Sequence, residues 1–106
     1  MTPPSARRGD VWLARLDKVR PVIILARDPL GRILKRIIVV PVTSTRRGLS
    51  TEVAVEPADG VRQSSVANLD TLGLLSRDRL IRRVGRLRET TLAALCDALA
   101  VAVGCD

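Results

Sequence analysis

The chain places its apolar residues in short blocks separated by turn formers. Val, Ile and Leu dominate residues 9–16, 20–26, 35–43, 51–55 and 64–69, and Gly, Pro, Asp, Asn or Ser bound each block. Blocks this short and this rich in β-branched residues predict strands. Leu16-Asp17-Lys18-Val19-Arg20 makes the whole connection between the first two, and Asp28-Pro29-Leu30-Gly31 predicts a turn before the third. Arg46-Arg47-Gly48-Leu49-Ser50 reads as the loop after the third strand, and Glu56-Pro57-Ala58-Asp59-Gly60 ends the fourth. Ser76-Arg77-Asp78-Arg79-Leu80 predicts a short helical turn capped by Ser76, and residues 81–87 a last strand. The period then changes. Leu92, Leu95, Cys96, Leu99 and Val103 recur at three- and four-residue steps, which predicts an amphipathic helix from Glu89 to Val103, stopped by Gly104. Many short strands followed by one helix predict a mainly β fold, a small barrel with a C-terminal helix packed on it. Residues 8–106 read as a single domain and residues 1–7, with two prolines, as a flexible leader.

Composition narrows the function. A chain of 106 residues, 46% hydrophobic, builds one core but not two. Its single aromatic is Trp12, so RNA binding on stacked aromatic platforms is nearly excluded; Trp12 itself reads as core or dimer interface. The net charge is +7, and it is uneven. Residues 1–50 carry 11 basic and 3 acidic side chains, residues 51–106 carry 7 basic and 8 acidic. A polyanion or an acidic protein segment suits such a surface, and 16 of the 18 basic residues are Arg, whose fork matches phosphate. There is no His, and Cys96 and Cys105 match no zinc spacing, so no metal and no cofactor is expected. Cys96 reads as an apolar filler in the helix and Cys105 as frayed. No signal peptide and no membrane-spanning run is visible, which fits a cytoplasmic protein.

The strand ends carry the candidate chemistry. The second strand opens on Arg20, and the third closes on Thr43-Ser44-Thr45 followed by Arg46 and Arg47. Rigid strands would hold a guanidinium and a group of hydroxyls on the rim of the barrel, where they can grip and polarise a phosphate. Ser44, Thr45, Arg46 and Arg47 are expected to contact phosphate. Arg20 is a poor base because its pKa exceeds about 12. Asp70, at the end of a strand, is a candidate base. No nucleotide-binding, dinucleotide-binding or zinc-protease motif occurs.

Several segments taken together resemble a known family. Arg8-Gly9-Asp10-Val11-Trp12, Arg20-Pro21-Val22-Ile23-Ile24, Val40-Pro41-Val42-Thr43-Ser44, Gln63-Ser64-Ser65-Val66-Ala67-Asn68-Leu69-Asp70 and Arg83-Val84-Gly85-Arg86-Leu87, with the final helix, stand in the order found in MazF/PemK/Kid toxins of toxin–antitoxin pairs. The resemblance runs from about Arg8 to Gly104. It implies an SH3-like, PemK/CcdB-like barrel that forms a homodimer. It also implies metal-independent, sequence-selective cleavage of single-stranded RNA and an antitoxin whose acidic disordered tail fills the RNA groove. Carried onto this chain, it makes Arg20 and Thr43 catalytic, with Asp70 contributing as in some members. Where those members have a basic residue two places before that Asp, this chain has Asn68. It also departs in the connection between the first two strands, where family members usually carry a long polar loop. Two other readings stay open. One is a non-catalytic SH3-like nucleic-acid module. The other is a gyrase-binding toxin of the CcdB type, which relies on a C-terminal Trp-Gly-Ile where this chain has Val103-Gly104-Cys105-Asp106.

Overall fold

A computed structural model describes residues 4–105. Seven strands form one antiparallel sheet system: β1 (Asp10–Arg15), β2 (Val19–Ile24), β3 (Arg36–Thr43), β4 (Glu52–Val55), β5 (Ser65–Asn68), β6 (Gly73–Ser76) and β7 (Leu80–Arg86). The strand order is β4-β5-β3-β2-β1-β7, with β6 also paired to β3. A short helix α1 (Leu30–Ile33) precedes β3, and helix α2 (Glu89–Ala102) ends the fold against β4.

The central strands are buried on both faces, and for that reason they read as continuous apolar runs. Val11, Ile23, Leu25, Val40 and Val42 face one core together with Leu95 and Ala98 of α2. Ala14, Val22, Ile24, Ile37 and Val39 face a second core with Leu75 and Leu80, against which Trp12 packs half-buried.

Strand β3 organises the sheet because it changes partners along its length. Its first half pairs with β6, from Arg36↔Ser76 to Val39↔Gly73, and its end pairs with β5 at Val42↔Ala67 and Thr43↔Val66. Pro41, which has no N–H to give, falls between the two partners. On the other edge β2 pairs with β3 only from Ile24↔Val39 to Val22↔Pro41. Beyond that point the strands part, and the ends carrying Arg20 and Thr43 diverge.

The opening Arg-Gly-Asp-Val-Trp segment supports the fold. Asp10 is buried; its carboxylate accepts the Arg7 N–H (2.9 Å) and the Arg86 guanidinium (3.0 Å), with Arg83 at 3.7 Å. Arg8 donates to the Leu25 carbonyl at 2.7 Å. Two of the sequence segments quoted above therefore hold each other across the β1–β7 ladder.

Four expectations need correction. Residues 4–7 are docked rather than free: Ala6 is buried and bonded to Gly31 (3.0 Å), and the buried Arg77 donates to the Pro4 carbonyl (3.0 Å). Residues 1–3 of that expected leader lie outside the described residues. Strand β6 went unread because Gly73-Leu74-Leu75-Ser76 is short and sits between turns. The helical turn at Arg77–Arg79 forms, but Ser76 makes no side-chain cap. Cys96 is exposed and accepts a hydrogen bond from Arg8 (3.0 Å), because the buried face of α2 centres on Thr91, Leu95 and Ala98, about 130° round the helix from Cys96.

Closure between the β4–β5 wing and β7 depends on two glycines. Gly60 (φ 103°) ends the Pro57–Asp59 turn in a left-handed conformation that favours Gly. A Cβ on Gly85 would lie 2.4 Å from the Gly60 Cα and 2.9 Å from the Asp59 carbonyl oxygen. Both obstacles are backbone, so they cannot swing aside. Gly85→Ala is expected to destabilise by about 2 kcal/mol or more through overpacking, read as a lower urea midpoint; an unchanged midpoint would show that the wing and β7 are not in backbone contact.

Candidate active site

The divergence of β2 from β3 opens a groove of about 680 Å³. Leu13, Lys18, Val19, Arg20 and Pro21 line one side, and Val42, Thr43 and Ser44 close the end. The segment after the Gly60 turn supplies Val61, Arg62, Gln63 and Ser65, while β7 supplies Arg82 and Val84. Leu13 and Arg82 are cross-strand partners, which sets that cation beside the β1–β2 end. The floor is aliphatic. The polar lining holds four cations, Lys18, Arg20, Arg62 and Arg82, and no carboxylate. Such a lining concentrates an anionic chain and leaves room for flat, uncharged groups against Val, Leu and Pro.

Arg20 and Thr43 line the same groove. The β2–β3 ladder ends at Val22↔Pro41, two residues short of each of them. Thr43 is half-buried, and its Oγ accepts the Thr45 N–H at 3.2 Å. That bond fixes the hydroxyl through its acceptor side and leaves its own hydrogen for an incoming oxygen. Arg20 donates from Nε to Asp17 Oδ1 (3.0 Å) and from Nη2 to Asp17 Oδ2 (3.3 Å). Asp17 raises the Arg20 pKa further, so the guanidinium is a permanent cation and donor. In return the hydrogen bond from Arg20 holds the Asp17 carboxyl below its usual range.

Of the other expected residues, Ser44 lines the groove, whereas Thr45, Arg46 and Arg47 stand exposed just beyond it. The Arg47 N–H is tied to the Glu52 carboxylate (2.9 Å), which also accepts the Leu49 N–H (3.1 Å) and so shapes the loop. Asp70 is not brought to the groove. Its carboxylate accepts the Thr51 hydroxyl at 2.8 Å, and its N–H is capped by Asn68 Oδ1 at 2.9 Å. Asn68 therefore holds the turn at Leu69–Thr71.

Sequence reasoning missed Lys18, Arg62, Gln63, Ser65 and Arg82. Arg62 and Arg82 come from the half of the chain with no net basic excess, so charge asymmetry could not reveal them. A signal existed in the alternation of the last strand, which turns Arg82 and Val84 to one side.

Comparisons with known proteins show the family and the fold. Residues 7–103 match the family described as PemK-like, MazF-like toxin of type II toxin–antitoxin system. The chain belongs to the PemK/MazF toxin family. It is 42% identical over 102 residues to a probable endoribonuclease MazF5 of Mycobacterium tuberculosis, covering 93% of this chain and 94% of that one. Among solved structures, the M. tuberculosis toxin MazF-mt6 superposes with a TM-score of 0.86 at 37% identity, covering 92% of this chain and 98% of that one. A mycobacterial endoribonuclease in complex with its cognate antitoxin superposes with a TM-score of 0.87 at 28% identity, covering 95% and 97%. The barrel with its C-terminal helix is thus the PemK/MazF fold, complete over nearly the whole chain despite the shortened β1–β2 connection.

Proposed function

We propose that this protein is the toxin of a toxin–antitoxin pair and that it cuts single-stranded RNA in the groove between the parting ends of β2 and β3. The observation that carries the reading is the Arg20 guanidinium and Thr43 hydroxyl lining one groove, among three further cations and no lining carboxylate. Family membership and relatives named as endoribonucleases support it.

In the proposed reaction the 2′-oxygen bonds to the adjacent phosphorus and loses its proton. The bond to the 5′-oxygen breaks, and that oxygen takes up a proton. The products are a 2′,3′-cyclic phosphate and a 5′-hydroxyl. Extra negative charge builds on the phosphoryl oxygens in between, and a fixed cationic fork stabilises it most. Arg20 fills that role. Thr43 donates its free hydrogen to a phosphoryl oxygen and sets the phosphorus in line. Lys18, Arg62 and Arg82 hold flanking phosphates, and Arg46 and Arg47 extend that contact beyond the groove. The chain has no His for acid–base work, so positioning and charge stabilisation carry most of the rate.

The finer partner assignments belong to the same proposal. An acidic, disordered antitoxin tail suits a groove lined by four cations and would compete with RNA for it. A homodimer would cover part of the exposed aliphatic surface, which includes Ile38 and Leu74, partners across the β3–β6 ladder. No helix among the described residues is long and apolar enough to cross a membrane, and we place the protein in the cytoplasm, where RNA and antitoxin are met.

The test is end-group analysis of cut RNA. Purified protein is expected to cut single-stranded RNA in excess EDTA, leaving 2′,3′-cyclic phosphate and 5′-hydroxyl ends. A single 2′-deoxy sugar at the cut site should stop it. Cleavage of that deoxy substrate, or activity lost in EDTA and restored by a divalent ion, would overturn the mechanism.

A further inference from the structure

We propose that Asp17 is a built-in occupant of the phosphate site, an anion held on Arg20 that RNA must displace. The inference rests on the assignment of the groove to RNA. Two hydrogen bonds join the pair, Nε to Oδ1 at 3.0 Å and Nη2 to Oδ2 at 3.3 Å. They occupy one whole edge of the guanidinium fork. A carboxylate and a phosphate offer that edge the same thing, two oxygens in a plane. The Asp17 carboxylate therefore stands where a phosphate would make its best contact.

The surroundings suit a displaceable occupant rather than a fixed strut. Asp17 lies in the tight β1–β2 connection, and its side chain is 71% exposed against 31% for Arg20. Arg20 is its one side-chain partner among the described residues, with a smaller contribution from the Lys18 N–H, so two bonds to one residue do most of the holding. The structural carboxylates of this fold differ in burial: Asp10 and Asp59 are enclosed and accept backbone N–H and guanidinium groups at 2.9–3.1 Å, whereas Asp17 stands in solvent. The groove otherwise presents only cations, so Asp17 keeps Arg20 satisfied and aimed while the groove is empty. Exposed pairs are weak, which fits a contact that RNA readily breaks.

The experiment is a double-mutant cycle in RNA binding, using a non-cleavable oligonucleotide with a 2′-deoxy sugar at the cut site and fluorescence anisotropy. Asp17→Asn is expected to tighten binding about 2- to 5-fold, the range that an exposed ion pair can supply. In the Arg20→Ala background the same change should give no gain, because the contact it relieves is gone. Asp97→Asn, an exposed carboxylate on α2, serves as the control for net charge and should leave binding as it was. In steady-state cleavage the Asp17→Asn gain should appear in KM. Weaker binding, or a fall in kcat, would show that Asp17 orients Arg20 for substrate and would overturn the displacement role. An equal gain in both backgrounds would reduce Asp17 to general repulsion and overturn it too. Failure of the groove assignment itself reads differently: Arg20→Ala alone would then bind RNA as the wild type does.

Discussion

Arg20→Ala is expected to lower kcat for RNA cleavage by about 10³-fold, with the thermal midpoint nearly unchanged. The guanidinium lies in the groove, and its bonds to protein run to Asp17, an exposed side chain in a turn. Its loss removes no buried contact, so the barrel should keep its stability. Catalysis should suffer, because the fork is the permanent donor set where phosphoryl charge develops. Arg20→Lys should recover little, since a point charge cannot span two phosphoryl oxygens. Thr43→Ala should reduce kcat more than RNA affinity, because its hydroxyl acts on one oxygen among many backbone contacts. Turnover of a short labelled RNA, with circular dichroism melting of each variant, checks all three. An Arg20→Ala variant that cuts at the wild-type rate would place the chemistry elsewhere.

The largest structural effect is expected at Asp59. This carboxylate is fully buried at the end of the Pro57–Asp59 turn. Oδ1 accepts the Arg88 N–H (2.9 Å) and Nε (3.1 Å), and Oδ2 accepts Arg88 Nη2 (3.1 Å) and the Glu56 N–H (3.0 Å). Burial pushes its pKa up, but the hydrogen bonds from Arg88, Glu56 and Thr91 outweigh burial and hold it at about 2, below the ordinary 3.8. Asp59→Ala orphans these donors and is expected to cost about 3 kcal/mol. For a domain of this size that is about 15 °C in Tm.

The pH dependence carries a sign. As pH falls, the unfolded chain takes up the proton near 3.8 before the folded chain does near 2. The stabilisation from Asp59 is therefore complete above about pH 5 and is lost progressively as pH falls toward 2. The stability gap between wild type and Asp59→Asn should shrink over that window, as measured by urea unfolding at several pH values. A gap that stays constant would contradict the ion-pair account. The next residues, Gly60 to Gln63, form a wall of the groove, so the same variants should also weaken RNA binding.

Much of this could be read from the chain, and the misses have physical causes. The central strands were legible because burial on both faces leaves uninterrupted Val and Ile, as in Val22-Ile23-Ile24. Strand β6 was not, since half of it is Gly and Ser and its partner is the already recognised β3. The α2 stripe was misplaced by one helical position because Ala98 and Thr91, small or polar by type, are buried, while Cys96, apolar by type, meets solvent and Arg8. Arg20 and Thr43 were legible because each punctuates the end of a strand. Arg82 reaches the groove through its pairing with Leu13, and the segment carrying Arg62 follows a turn whose Gly60 packs on Gly85, long-range contacts that no local pattern announces. Asp70 looked like a base because it follows a strand. Its turn instead folds back on Thr51, a partner 19 residues away.

The central claim is that RNA is held where β2 and β3 part. Amide and guanidinium NMR spectra, recorded as a non-cleavable 2′-deoxy-substituted oligonucleotide is added to the wild-type protein, test it most directly. The account predicts that the largest shifts fall on Lys18, Arg20, Thr43, Ser44, Arg62 and Arg82, with the Arg20 Nε–H signal moving as Asp17 is displaced. Shifts confined to α2 or to the outer face of β6, with those six residues silent, would contradict it.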